Sequence, residues 1–221
     1  MVMKIKSQLI IVVVLWLLAL PAVLWIDRPL ALAIHHAGID NYLLLRYVTE
    51  GLPPLMMWLL VIAALYRGWQ LRWWLAIVYS GYLYVMLKVT MEVKTGLKII
   101  FGRYWTKTWI NNNLSLIHDN VFGFNWWHGH GNQGCFPSGH STFTAFCCVW
   151  LWYLFPRFRY LWLSLMIIMP VCLIALDYHF LGDCLAGLGL GMFCAVLSYQ
   201  LWQMSRGITI KMYKPKDIKC R

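Results

Sequence analysis

The stretch Phe136-Pro137-Ser138-Gly139-His140-Ser141 is a short polar island that opens a long apolar run. A second island, His179-Phe180-Leu181-Gly182-Asp183, opens another apolar run nearer the C-terminus. Because water-free hydrocarbon tolerates ionisable groups poorly, such groups beside membrane spans are functional candidates. The two islands therefore predict a membrane-embedded chain that carries its chemistry at the ends of its spans.

The composition also indicates a membrane protein. Of the 221 residues, 61% are hydrophobic and only 12% are charged, which is far from the composition of a soluble domain. A span needs about 20 mostly apolar residues. The candidate spans are roughly 8–26, 53–66, 73–90, 139–155, 160–177 and 181–203. We therefore predict an all-α, polytopic membrane bundle of six transmembrane helices, formed as a single domain over residues 1–221.

The formal net charge of +11 is concentrated on one side of the predicted bundle. The basic residues of that side lie in a tail over 205–221 and in short connections, at Lys4, Lys6, Arg67, Arg72, Arg157 and Arg159. The positive-inside rule makes this face cytoplasmic, so both termini are predicted to be inside. We attribute the basic excess to topology and to anionic lipid headgroups, and we expect no nucleic-acid partner. A bacterial inner membrane is the simplest location.

The connections carry further expectations about the fold. Asp27-Arg28-Pro29 predicts a turn after the first span, and residues 30–52 predict an interfacial helix. Pro53-Pro54 predicts the first turn of the second span, since proline favours helix starts. Arg67-Gly68-Trp69-Gln70 predicts a tight turn before the third span.

The third span is expected to run on to about Ile100, and residues 102–136 then form a long polar loop. A loop of this length in a compact domain is usually functional. The seven cysteines show neither a disulfide framework nor a metal-type spacing, so no metal is expected. Cys135 lies in the long loop without an obvious partner.

Ser138, Gly139 and His140 stand where the fourth predicted span begins. Serine is a preferred N-cap, and the first N–H groups of a helix, together with its dipole, attract anions. Gly139 lets a phosphate oxygen approach the backbone closely. His140 is placed to exchange a proton near neutral pH. The alternative is an ordinary serine-capped helix with an interfacial histidine.

His179 and Asp183 are four residues apart, so on a helix they share a face. The carboxylate then binds one ring nitrogen, which determines the tautomer and leaves the other nitrogen free to attack. The alternative is a purely structural pair at a helix end.

Lys98 and Arg103 flank the end of the third span. Arginine suits a tetrahedral phosphate because it offers several donors in a rigid arrangement. Both residues also suit a membrane-interface anchor. Every candidate residue falls at the same end of the bundle, which predicts a site at the outer ends of spans 3, 4 and 6.

At these residues the chain resembles the type-2 phosphatidic acid phosphatase superfamily, which includes the vanadium haloperoxidases. The resemblance covers residues 85–191 and is most specific at Pro137-Ser138-Gly139-His140 and at the pair His179 and Asp183. Two family arginines are absent: Trp105 and Leu173 stand at those positions. Arg103, two residues before Trp105, is the expected substitute.

The resemblance implies a membrane lipid phosphatase that needs neither metal nor cofactor. His179 would form a phosphohistidine with Asp183 holding its ring, and His140 would act as acid and then base. Lys98, Arg103, Ser138 and Gly139 would bind the phosphate. The implied substrate is undecaprenyl diphosphate, phosphatidic acid, phosphatidylglycerol phosphate or lipid A. A lipid phosphotransferase and a non-catalytic lipid-phosphate binding or transport protein remain alternatives, and the oligomeric state is open.

Overall fold

The computed structural model describes residues 5–39, 42–71, 73–108, 112–129 and 134–212, in which the regular structure is helical, without a β-strand. The helices are α1 (Ile5–Pro21), α2 (Asp27–His36), α3 (Leu43–Leu71), α4 (Trp73–Phe101), α5 (Leu116–Asp119), α6 (Gly139–Leu154), α7 (Arg159–Ala175) and α8 (Leu181–Met212). A π-helical turn, Ala22–Ile26, joins α1 directly to α2. The last part of the predicted tail, residues 213–221, lies outside the described residues.

Within the described residues, the segments long and apolar enough to cross a membrane are Ile5–His36, Leu43–Gln70, Trp73–Phe101, Pro156–Ala175 and Leu181–Ser205. The chain is therefore an all-helical membrane protein, as predicted. The predicted fourth span, 139–155, corresponds to α6, which has only 16 residues and is buried along most of its length. The count of six transmembrane helices stays a prediction.

Three predictions for the connections are wrong, because the helices continue where breaks were expected. Asp27-Arg28-Pro29 is the first turn of α2 and continues the helix of α1. Pro53 and Pro54 lie inside α3, which begins ten residues earlier at Leu43. Likewise, α3 runs through Arg67-Gly68-Trp69-Gln70 to Leu71. In hydrocarbon the backbone must satisfy its own hydrogen bonds, which favours helix continuation over exposed turns.

Helix α8 packs against α6 at Gly187 and Gly191 and against α1 at Gly189. A side chain at Gly187 or Gly191 would overlap backbone atoms of Ser138 and Thr142, so these glycines allow α6 to approach closely. A side chain at Gly189 would overlap the indole side chain of Trp16 in α1. Small residues at helix crossings are the usual basis of close packing in membranes. The result places the first turn of α8 against the first turn of α6.

Candidate active site

The predicted site residues come from three segments of the chain, 98–103, 138–140 and 179–183, that meet at one end of the bundle. Lys98 lies in the last turn of α4, and Arg103 follows that helix directly. Ser138, Gly139 and His140 open α6, while His179 precedes α8 and Asp183 lies in the first turn of α8. The backbone N–H of Ser138 donates to the backbone carbonyl of Asp183 at 3.0 Å, which joins the two helix starts.

His179 and Asp183 form the pair that their spacing predicts. Nδ1 of His179 lies 3.4 Å from Oδ2 of Asp183, and both side chains are buried. The same oxygen accepts from the backbone N–H of Phe180 at 3.1 Å and from Sγ of Cys135 at 2.9 Å. Burial lowers the pKa of His179, which favours the neutral ring. With Nδ1 turned toward the carboxylate, Nε2 is the nitrogen available as a nucleophile.

The connection between α7 and α8 presents His179 through backbone contacts. The N–H groups of Tyr178 and His179 both donate to the carbonyl of Leu173, at 2.9 and 3.4 Å. Asp177 adopts a positive φ of 53°, and its carbonyl accepts from Oγ1 of Thr106. The peptide after α7 therefore turns sharply, and the turn holds His179 against the start of α8.

The start of α6 has the capped form that the sequence predicts. Oγ of Ser138 accepts from the N–H of Ser141 at 3.4 Å, and the carbonyl of Ser138 accepts from Oγ1 of Thr142 at 2.7 Å. A Cβ at Gly139 would lie 3.9 Å from Nζ of Lys94, so this ammonium group lies directly beside the helix start. The arrangement combines helix N–H groups with a cation, which is suited to an anion.

Lys94 and Lys98 share one face of α4, and both are buried. Nζ of Lys98 lies 4.9 Å from the centre of the Trp105 ring, and that ring also packs on His179 at 5.5 Å. Among the described residues, neither ammonium group has a carboxylate within 4.0 Å. Both lysines are electrostatic neighbours of His140. Buried cations without a carboxylate favour the binding of an anion.

Arg103 follows α4 as predicted, but its side chain binds carboxylates. Its Nη1 donates to Oδ1 of Asp183 at 2.6 Å, and its Nη2 donates to Oδ2 of Asp27 at 2.8 Å. The guanidinium is fully buried and lies 4.4 Å from the centre of the Phe180 ring. Both terminal nitrogens therefore bind carboxylates, and these contacts do not support the phosphate-binding role predicted for Arg103.

A comparison with protein families gives the same assignment as the motifs. The sequence model of the PAP2 superfamily matches residues 74–206. The chain belongs to the PAP2 superfamily. A lipid A 1-phosphatase of Helicobacter pylori (strain J99) is 36% identical over 88 residues, which cover 38% of this chain and 44% of that protein. The chain thus matches less than half the length of this relative.

The fold is also that of a solved PAP2 protein. A crystal structure described as the first transmembrane PAP2 type phosphatidylglycerolphosphate phosphatase, from Bacillus subtilis, superposes with a TM-score of 0.59. The superposition covers 91% of this chain and 96% of that chain, at 16% sequence identity. At this identity the match concerns the fold alone.

The two positions that depart from the PAP2 pattern have different surroundings. Trp105 lies within the site, and its ring is close to both the ring of His179 and the ammonium group of Lys98. Leu173 is completely buried in the main apolar core, and only its carbonyl contributes to the site. Neither position supplies a cation, so Lys94 and Lys98 are the described cations nearest to the start of α6 and His140.

Sequence reasoning missed two members of the site. Asp27 was interpreted as part of a turn, although an acidic residue in the apolar segment Ile5–His36 is itself a signal of function. Cys135 was placed in an outer loop, yet it is fully buried, with Sγ 3.1 Å from Nδ1 of His179. No feature of its local sequence indicates this contact.

Cys135, His179 and Asp183 place three possible ligand atoms within 4.8 Å of one another. Burial raises the pKa of Cys135 well above its usual value, which favours the thiol over the metal-binding thiolate. Arg103 already binds Asp183, and the positive charge of Lys98 also acts on this cluster. These surroundings favour the hydrogen-bonded arrangement over a bound cation, and the absence of a metal requirement stays a prediction.

Proposed function

We propose that this protein is a membrane lipid phosphatase that removes a phosphate group from a lipid through a phosphohistidine on His179. The observation that supports it best is the arrangement around that ring. Asp183 binds Nδ1, and Lys98 and His140 at the start of α6 are electrostatic neighbours of the same ring. A nucleophile thus stands beside an anion-binding surface at the end of a membrane bundle.

In the proposed first step, the Nε2 lone pair of His179 forms a bond to phosphorus as the bond to the leaving oxygen breaks. His140 gives a proton to that oxygen, and Asp183 stabilises the positive charge on the phosphorylated ring. Lys94, Lys98, Ser138 and the N–H of Gly139 stabilise the equatorial oxygens. Phosphoryl transfer depends mainly on such positioning and electrostatics.

In the second step, His140 takes a proton from water as the water oxygen attacks phosphorus. The bond between phosphorus and Nε2 breaks, which releases inorganic phosphate and restores neutral His179. The substrate is a phosphomonoester or diphosphate of a lipid. The two relatives suggest lipid A or phosphatidylglycerol phosphate as first choices. We place the site on the outer face of a bacterial inner membrane, with both termini in the cytoplasm.

The test is phosphate release by detergent-purified protein, with EDTA present. The panel contains undecaprenyl diphosphate, phosphatidic acid, phosphatidylglycerol phosphate and lipid A. We expect release from at least one lipid by the wild type, none by His179→Ala, and wild-type release by His118→Ala. His118 is a matched control because it is an exposed histidine in α5.

Equal release by His179→Ala and the wild type would contradict the proposal. Acid-labile label on the protein from a ³²P-lipid, absent in His179→Ala, would support the covalent intermediate. Transfer of label to an added alcohol in preference to water would identify the phosphotransferase. No release from any lipid by folded protein would favour the binding or transport alternative.

A further inference from the structure

Asp27 is a fully buried carboxylate within the apolar segment Ile5–His36. A charge in such a segment is costly unless it is paired, so residues of this kind are functional candidates. Oδ1 of Asp27 accepts from the N–H of Gly182 at 2.9 Å, and Oδ2 accepts from Nη2 of Arg103 at 2.8 Å. The carboxylate is therefore joined to the α8 start and to the arginine beside Asp183.

Two local features bring Asp27 to this position. The π-helical turn Ala22–Ile26 lies immediately before it and changes the direction in which the following residues face. Gly182 leaves room for the carboxylate, because a Cβ at that position would lie 2.7 Å from Oδ2 of Asp27 and 2.6 Å from Cγ2 of Val23. The π-helical turn and the absence of a side chain at Gly182 together allow Asp27 to contact Arg103.

The buried contacts form one series from α2 to the nucleophile. Asp27 binds Nη2 of Arg103, Nη1 of Arg103 binds Oδ1 of Asp183, and Oδ2 of Asp183 lies beside Nδ1 of His179. Two carboxylates and one guanidinium leave a net charge of minus one next to the ring. Without Asp27, the pair of Arg103 and Asp183 would be neutral.

We propose that Asp27 and Arg103 are positioning residues for the phosphohistidine step. The inference rests on the proposed function, since it assigns a task only if His179 is the nucleophile. Arg103 holds Oδ1 of Asp183, which turns Oδ2 toward the ring. Asp27 balances Arg103, so that Asp183 keeps the negative charge that stabilises the phosphorylated, positively charged imidazole. Neither residue touches the substrate.

This assignment predicts that substitutions of Asp27 lower kcat and leave KM unchanged. For the lipid of the panel that the wild type cleaves fastest, Asp27→Asn should lower kcat about 10- to 100-fold, as expected for an outer partner of a functional histidine. KM and the inhibition constant of inorganic phosphate should stay at their wild-type values, because Lys94 and Lys98 are untouched. Asp27→Glu should restore part of kcat.

Asp119→Asn is the control, because Asp119 is an exposed carboxylate of α5 that accepts from the N–H of Ser115. We expect it to keep the wild-type kcat. Gly182→Ala provides a second variant that moves Asp27 without removing a charge, and it should lower kcat with KM unchanged. If Asp27→Asn does not fold, the kcat and KM of Gly182→Ala test the inference instead.

An active wild type that depends on His179, together with wild-type kcat in Asp27→Asn and Gly182→Ala, would overturn this inference while leaving the proposed function intact. A rise in KM with kcat unchanged would also overturn it. An inactive wild type, or an active His179→Ala, would instead contradict the proposed function itself.

Discussion

Two sets of charged groups lie near His179 and His140: in one set each charged group has a partner of opposite sign, whereas in the other, two ammonium groups have none within 4.0 Å among the described residues. We name these the rear side, formed by Asp27, Arg103 and Asp183, and the front side, formed by Lys94 and Lys98 with the start of α6. On the rear side each charged group is already paired without a ligand, and the set keeps a net charge of minus one. The front side becomes complete only when an anion binds.

The difference separates two tasks that the PAP2 pattern would assign to arginines. Arg103 is committed to carboxylates, and Trp105 and Leu173 carry no charge. The front side therefore depends on lysines, which act as compact point charges and do not provide the rigid paired donors of arginine. Changes on the two sides should consequently have different signatures in stability and in kinetics.

The largest effect should follow from Asp183→Asn, which breaks the rear side at its centre. It leaves the guanidinium of Arg103 paired only with Asp27 and removes the charge beside His179. We expect kcat to fall about 10³- to 10⁴-fold, by analogy with the buried aspartate of serine proteases. The free energy of unfolding should fall by about 3–5 kcal/mol, as for other broken buried pairs.

Kinetics and thermal unfolding in detergent check both parts of this expectation. Asp119→Asn is the control, since that carboxylate is exposed in α5. A variant of Asp183 with unchanged kcat would show that the carboxylate does not serve the nucleophile.

Lys98→Met should affect the front side alone. We expect kcat/KM to fall about 10- to 100-fold, the equivalent of one charged hydrogen bond to phosphate. The melting temperature should stay the same or rise, because a buried cation without a carboxylate is removed. Lys88→Met is the control, since Lys88 is exposed on the same helix. A large loss of stability would contradict the comparison of the two sides.

Cys135→Ala should have a smaller effect, because it removes one of several donors to Oδ2 of Asp183. We expect kcat to fall about fivefold, which corresponds to a hydrogen bond worth about 1 kcal/mol. Cys135→Ser keeps a donor and should retain more activity than the alanine variant. Cys147→Ala, a buried cysteine of α6, is the control. Equal activity of both Cys135 variants would show that the hydrogen bond has no role.

The smallest effect concerns pH. Because burial lowers the pKa of His179, the unfolded chain binds a proton at this residue near its usual pKa of 6.5, while the folded chain does not. The contribution of His179 to stability is therefore complete above that pH and is lost as the pH falls below it. The melting temperature of the wild type should fall more than that of His179→Gln between pH 7.5 and 5.5. An equal fall in both would contradict this assignment.

The cap at Ser138 and the pair of His179 and Asp183 were predictable from the sequence. The cap at Ser138 is a contact within the first helical turn, and His179 and Asp183 are only four residues apart although His179 precedes α8, so local sequence encodes both. Trp105 was noted in the sequence only as the replacement of a family arginine, but its ring packs on His179. That contact joins segments more than seventy residues apart, which no local pattern describes.

The sequence by itself determined the helical membrane class, the capped start of α6 and the histidine–aspartate pair, because apolar runs and short spacings act locally. Only the tertiary structure decided that Arg103 binds two carboxylates and that Lys94 and Lys98 have none within 4.0 Å among the described residues. The physical reason is that Asp27 and Arg103 lie 76 residues apart in the chain. Their pairing depends on the close approach of α2 to α8 at Gly182, which only the packed bundle provides.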